Sequence, residues 1–112
     1  MKEMFVWLFG KSARNAHIRE MAEKAILLLK KHGSMEYQQL ARELGVDFTQ
    51  YRKPKRTFYF VVNPLKRVHM IQEKRVYTDK AKKRYQTHYF LTPDRFRGYM
   101  DRVIDEFHVA IK

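Results

Sequence analysis

The chain has 112 residues, 45% of them hydrophobic, no cysteine and a formal net charge of +12 at pH 7. That length suits one compact domain, and the lack of cysteine excludes disulfide frameworks, thiolate nucleophiles and cysteine zinc sites, leaving a cytoplasmic address as the expectation. Twelve Lys or Arg residues between Arg52 and Arg84 stand against only Glu73 and Asp79, so 33 residues hold +10, a self-repelling field whose natural use is to attract a polyanion, nucleic acid foremost.

Along the chain, residues 1–15 read as an apolar N-terminal arm. Its core, Met4 to Phe9, is shorter than a signal-peptide apolar region and has no cleavage pattern after it, and it is too short to span a membrane. From Asn15 the apolar positions Ile18, Met21, Ala22, Ala25, Leu28 and Leu29 recur at helical spacing. Lys30, Lys31, His32 and Gly33 then supply a cationic last turn and a stop, which predicts a helix over about 16–32. Ser34 and Met35 leave room only for a turn or a pair of edge-strand residues. A second helix is predicted from about Glu36 to Leu44, with Tyr37, Leu40, Ala41 and Leu44 on one face and Gly45 as terminator. Glu36 stands where a Ser or Thr cap is usual, so this helix is expected to lack its cap.

The polar stretch from Asp47 to Arg56, which contains Pro54, reads as a loop. The third element is ambiguous. Phe58, Val61 or Val62, Leu65 and Val68 recur at helical spacing, whereas Thr-Phe-Tyr-Phe-Val-Val at 57–62 has strong β propensity and Pro64 disfavours an unbroken helix. A helix over about 57–69, bent near Asn63 and Pro64, is favoured; a strand followed by a short helix capped by Asn63 is the alternative. Met70 to Thr78 and Gln86 to Leu91 read as two strands around a loop crowded with Lys80, Lys82, Lys83 and Arg84. Thr92, Pro93 and Asp94 supply a cap, a first-turn proline and an early acid for a final helix, with Phe96, Met100, Val103, Ile104, Phe107 and Ile111 on one stripe.

The resulting expectation is a mainly α chain with a small β-hairpin, an α+β fold. The order helix, short turn, helix, third helix, basic hairpin and closing helix, together with the segment Gly33-Ser34-Met35-Glu36-Tyr37-Gln38-Gln39-Leu40-Ala41-Arg42-Glu43-Leu44-Gly45, resembles the winged-helix (winged helix-turn-helix) DNA-binding domains of archaeal and bacterial regulators. Asn63-Pro64-Leu65-Lys66-Arg67-Val68-His69-Met70-Ile71 is similar to the end of a recognition helix running into a first wing strand. The resemblance covers residues 16–91 and implies a DNA-binding domain there, with residues 92–112 as an added C-terminal helix suited to dimerisation. One departure is the ten or so residues between the second and third helices, where such domains have only a few.

If the third element is helical, burial of its apolar stripe turns Arg56, Tyr59, Asn63, Lys66 and Arg67 outward. Arg pairs with guanine edges, Asn with adenine and Lys with phosphates, and a helix fits the major groove. Lys80, Lys82, Lys83 and Arg84 at the hairpin tip, and Arg52, Lys53, Lys55 and Arg56 in the preceding loop, suit contact with the phosphate backbone. Phe5, Trp7, Phe96, Met100, Val103, Phe107 and Ile111 offer more apolar surface than one small core hides, which predicts a homodimer; packing of Trp7 and Phe9 on the parent fold is the alternative.

The acids Asp94, Asp101, Asp105 and Glu106 and the scattered His17, His32, His69, His88 and His108 lack the spacing of a catalytic or metal site. Arg97 with Asp101 and Arg102 with Glu106 instead have the spacing of surface ion pairs. Neither a cofactor nor a small-molecule ligand is expected. The expectation is therefore a dimeric, nucleoid-associated regulator that binds double-stranded DNA by sequence. The alternatives are a non-specific architectural protein, or an RNA-binding module in which Tyr59, Phe60, Tyr77 and Tyr89 stack on bases from an exposed sheet.

Overall fold

In the computed structural model, which describes residues 2–112, five α-helices accompany a three-stranded antiparallel sheet. The elements are α1 (Lys2–Phe9), α2 (Ala16–His32), β1 (Ser34–Glu36), α3 (Tyr37–Glu43), α4 (Arg56–Arg67), β2 (Ile71–Asp79), β3 (Arg84–Leu91) and α5 (Pro93–Ile111). The chain is thus mostly helical, an α+β fold with strand order β1-β3-β2.

The apolar opening of the arm is helical, as α1. Phe5 and Phe9 are four residues apart and share the inward face of α1, with ring centroids 6.5 Å apart, while Trp7 points away and stays 53% exposed. Phe5 itself is 2% exposed within the core. It is therefore inaccessible to a second copy, which corrects its expected place in a dimer contact. The Asn15 side chain donates to the Phe9 carbonyl at 2.9 Å, and Arg19 donates to the Gly10 and Ser12 carbonyls at 2.7 and 2.9 Å. These bonds satisfy the carbonyls of the link and fix the angle between α1 and α2.

Ile18, Ala22, Ala25 and Leu29 form the buried stripe of α2. Small Ala22 and Ala25 let neighbouring backbones approach, and α2 packs on α1, α4 and the sheet. Gly33, at φ 81°, ends the helix with its N–H donating to the Leu29 carbonyl at 2.9 Å, a left-handed stop that costs glycine little. β1 follows and pairs with β3, Met35 lying opposite Tyr89.

Glu36 does cap α3: its carboxylate accepts the Gln39 N–H at 2.9 Å. The longer acid thus does the work of the expected Ser or Thr, and carries a charge suited to the positive end of the helix. Past Gly45 (φ 77°) the Val46 N–H returns to the Ala41 carbonyl at 3.0 Å. The stretch read as a loop then doubles back on itself. The Thr49 N–H donates to the Lys53 carbonyl at 2.8 Å and the Lys55 N–H to the Asp47 carbonyl at 2.9 Å, and Phe48 bridges to buried Pro54. The Gln38 side chain holds this excursion to α3 through the Arg52 carbonyl at 3.0 Å.

Residues 57–62 are helical. Phe58, Val61, Val62 and Leu65 are fully buried, and that burial on a 3.6-residue period outweighs their local β propensity. Pro64 lies inside α4, leaving the Phe60 carbonyl without its usual donor four residues on, yet the helix continues for one more turn. In the hairpin, Ile71 pairs with Leu91, Glu73 with Tyr89, Arg75 with Thr87 and Tyr77 with Tyr85. Alternation therefore places Ile71, Glu73, Arg75, Tyr77, Tyr85, Thr87, Tyr89 and Leu91 on one face. The base of that face closes the core, where Tyr89 meets Phe58 edge-on at 6.0 Å; its distal half leaves the body.

Thr92 does not cap α5 with its side chain; its hydroxyl instead donates to the His69 carbonyl at 2.7 Å, locking the start of α5 to the end of α4. His69 lies at φ 65° and packs against Tyr99 in a tilted arrangement, ring centroids 5.3 Å apart. No residue of α5 is buried, and every residue from Asp101 onward is exposed. The pairs expected between Arg97 and Asp101 and between Arg102 and Glu106 do not form; among the described residues the ion pair is Lys66 with Glu73 at 3.4 Å. No described helix is long and apolar enough to cross a membrane.

Candidate nucleic-acid interface

The buried stripe of α4 dictates what its other side offers. Arg56, Phe60, Asn63 and Arg67, spaced by four, three and four residues, run along the line opposite the core, and Tyr59 and Lys66 flank that line. Lys66 lies on the hairpin side, as its ion pair with Glu73 of β2 requires. Three hollows open on this side of the molecule. One is lined by Tyr59, Phe60, Asn63, Pro64, Lys66 and Arg67. The next, about 440 Å³, lies between α4 and the sheet and is lined by Lys53, Tyr59, Lys66, Glu73 and Tyr85 together with Tyr37, Thr87 and Tyr89. The third lies under the hairpin tip, among Arg75, Tyr77, Lys80, Lys83 and Tyr85.

The first and second hollows share Tyr59 and Lys66, and the second and third share Tyr85. They therefore form one continuous concave surface from the outer face of α4 to the tip of the hairpin. Of the twelve expected contact residues, it gathers Lys53, Tyr59, Asn63, Lys66, Arg67, Lys80 and Lys83. Arg52, Lys55, Arg56, Lys82 and Arg84 are exposed but line none of the three hollows. The tip is built by Asp79, whose carboxylate accepts the N–H groups of Ala81 and Lys82 at 3.1 and 3.2 Å. That bonding turns the chain where four cations would otherwise push it apart.

Aromatic rings punctuate the cations. Tyr77 and Tyr85 meet edge to face at 5.9 Å, and the Arg75 guanidinium lies 4.5 Å from the Tyr85 ring centroid, an attraction that holds both side chains on the face of the hairpin. The Tyr59 phenol is raised above its ordinary pKa by burial first, then by Tyr37 and Glu73. Tyr89 is raised further, again chiefly by burial. Both phenols accordingly stay neutral hydrogen-bond donors through the physiological range.

Phe60, Arg75 and Tyr85 also line this surface; Phe60 was expected to meet bases only in the RNA-binding alternative, and Arg75 and Tyr85 were not singled out. The outward direction of Phe60 follows from the same helical wheel that exposes Asn63, and strand alternation from Ile71 carries Arg75 to the concave side. Tyr89, by contrast, is 3% exposed and cannot stack on a base while the core is closed. Among the described residues no group of His, Asp or Glu is clustered as a metal site would be. No protein-family model matches the chain, and no curated protein matches it.

Proposed function

We propose that this chain is a sequence-specific binder of double-stranded DNA, of winged-helix type, acting as a dimeric transcriptional regulator. The observation that carries the reading is the concave surface joining α4 to the hairpin, in which cations, amide and hydroxyl donors and aromatic rings meet. An α-helix about 10–12 Å across fits a major groove about 12 Å wide. With α4 in that groove, Asn63 and Arg67 face base edges while Lys53, Lys66 and the hairpin tip meet phosphates. The placement of β1 between α2 and α3, paired to β3, supports the winged-helix resemblance, with β2 and β3 as the wing.

Dimerisation rests on α5. Phe96, Met100, Val103, Ile104, Phe107 and Ile111 make a broad apolar stripe, and its outer half, from Val103 onward, is exposed to solvent. Three arginines on this helix stand against Asp94, Asp101, Asp105 and Glu106, so two copies can approach here without the repulsion that the rest of the surface imposes. Two modules so joined would present their recognition helices to half-sites about one helical turn, roughly 34 Å, apart.

The RNA-binding alternative loses two supports, because 57–62 is helical and Tyr89 is buried. Titration with salt against duplex DNA, single strands and structured RNA tests the choice. If about six phosphates are neutralised, the logarithm of the binding constant falls against the logarithm of salt with a slope near about −5, duplex being preferred. Binding of duplex that is indifferent to salt, or a preference for structured RNA, would overturn the reading.

A further inference from the structure

We infer that Phe60 is a thymine-reading residue, selecting sites by contact with the 5-methyl group; the inference rests on the duplex-binding reading above. Phe60 is 55% exposed in the middle of α4, on the outward line between Arg56 and Asn63. Tyr59, Asn63, Lys66 and Arg67 surround it in a single shallow hollow. A bare aromatic ring gains from losing water when an apolar group covers it, but the cations around this ring repel other basic surfaces, a second copy included. The partner has to bring an apolar group on a polyanion. Thymine does so: its methyl projects into the major groove beside the hydrogen-bonding edges of the bases, where aromatic and small apolar side chains can reach it.

The neighbouring residue sharpens the assignment. Asn63 lies three residues on, about 4.5 Å along the helix axis, where successive base pairs are roughly 3.4 Å apart, and the Asn amide suits the N6 and N7 edge of adenine. The ring and the amide therefore read neighbouring A·T pairs, the first through a methyl on one strand and the second through an adenine.

The experiment selects duplexes from a random library with the full-length chain and resynthesises the selected site with deoxyuridine in place of thymine, which removes the methyl and leaves every hydrogen-bonding edge intact. The native chain is expected to bind the uracil form more weakly, by about fourfold for every methyl group that a Phe60 ring had covered. The Phe60→Ala chain is expected to bind both forms equally; its side chain is largely outside the core, and circular dichroism checks that the fold is kept. Equal affinity of the native chain for both forms, or a thymine preference that survives Phe60→Ala, overturns the role of Phe60 while the preference for duplex stands. Failure to enrich any duplex removes the role together with the function on which it rests.

Discussion

Phe58 and Phe60 stand two residues apart on α4, one with its ring fully buried against Tyr89 and the other more than half exposed. Truncation of Phe58 to alanine leaves a cavity where α2, α4 and the sheet meet, and is expected to lower stability by about 3–5 kcal/mol. Phe60→Ala leaves the core intact and should stay within about 0.5 kcal/mol of the native chain. Urea denaturation of the two variants checks the contrast, and a large loss from Phe60→Ala would mean that its ring supports the fold. The same separation of duties holds for the two tyrosines that pair with β2: Tyr89 closes the core, and Tyr85 serves the concave surface with Arg75 against its ring.

At the scale of elements, α4 and the hairpin tip differ in what they can contribute to recognition. Lys82 and Lys83 sit on a turn built by Asp79 and exposed to solvent, so replacing both by alanine should weaken binding about equally for all sequences and reduce the salt slope by about 1 for each lysine that contacts a phosphate. Replacing Asn63 or Arg67 should change which sequences are preferred. Selection from a random library with each variant is the check, and equal losses from both sets would show that α4 does not read bases. Much of the fold was legible in the amino-acid order: α2 and its glycine stop, the hairpin with its basic tip, the long last helix and the outward set on α4 all follow from periodicity and charge. The helical state of 57–62 was not decided there, because the β-branched and aromatic residues favour a strand locally and only their burial against α2 settles the conflict. The fold of Asp47 to Lys55 was hidden for a related reason, since its turn depends on Phe48 meeting Pro54 and on Gln38 reaching in from α3. Tyr85 required the hairpin register, which a nine-residue strand with polar residues on both faces leaves open.

For the molecule as a whole, α5 is attached through its first two turns and the bond from Thr92 to the end of α4, and beyond Met100 it stands free. Phe107→Asp places a charge in the centre of the free stripe and is expected to convert a dimer into a monomer with the helical content of each chain unchanged. Sedimentation equilibrium beside circular dichroism reads both quantities, and an unchanged mass for the variant, or a native chain that is already monomeric, would remove the dimer. A different consequence follows from the ion pair between Lys66 and Glu73 standing alone among the described residues. With so few internal counter-charges, the folded chain bears the mutual repulsion of its cations, and sodium chloride relieves it as the Debye length shortens from about 30 Å at 0.01 M to about 10 Å at 0.1 M. The melting temperature of the unliganded protein should therefore climb across that range, and a flat or falling trend would contradict it. Because the same salt loosens a bound polyanion, heat tolerance and grip on the proposed duplex would move in opposite directions, the duplex itself serving as the counter-ion for these cations.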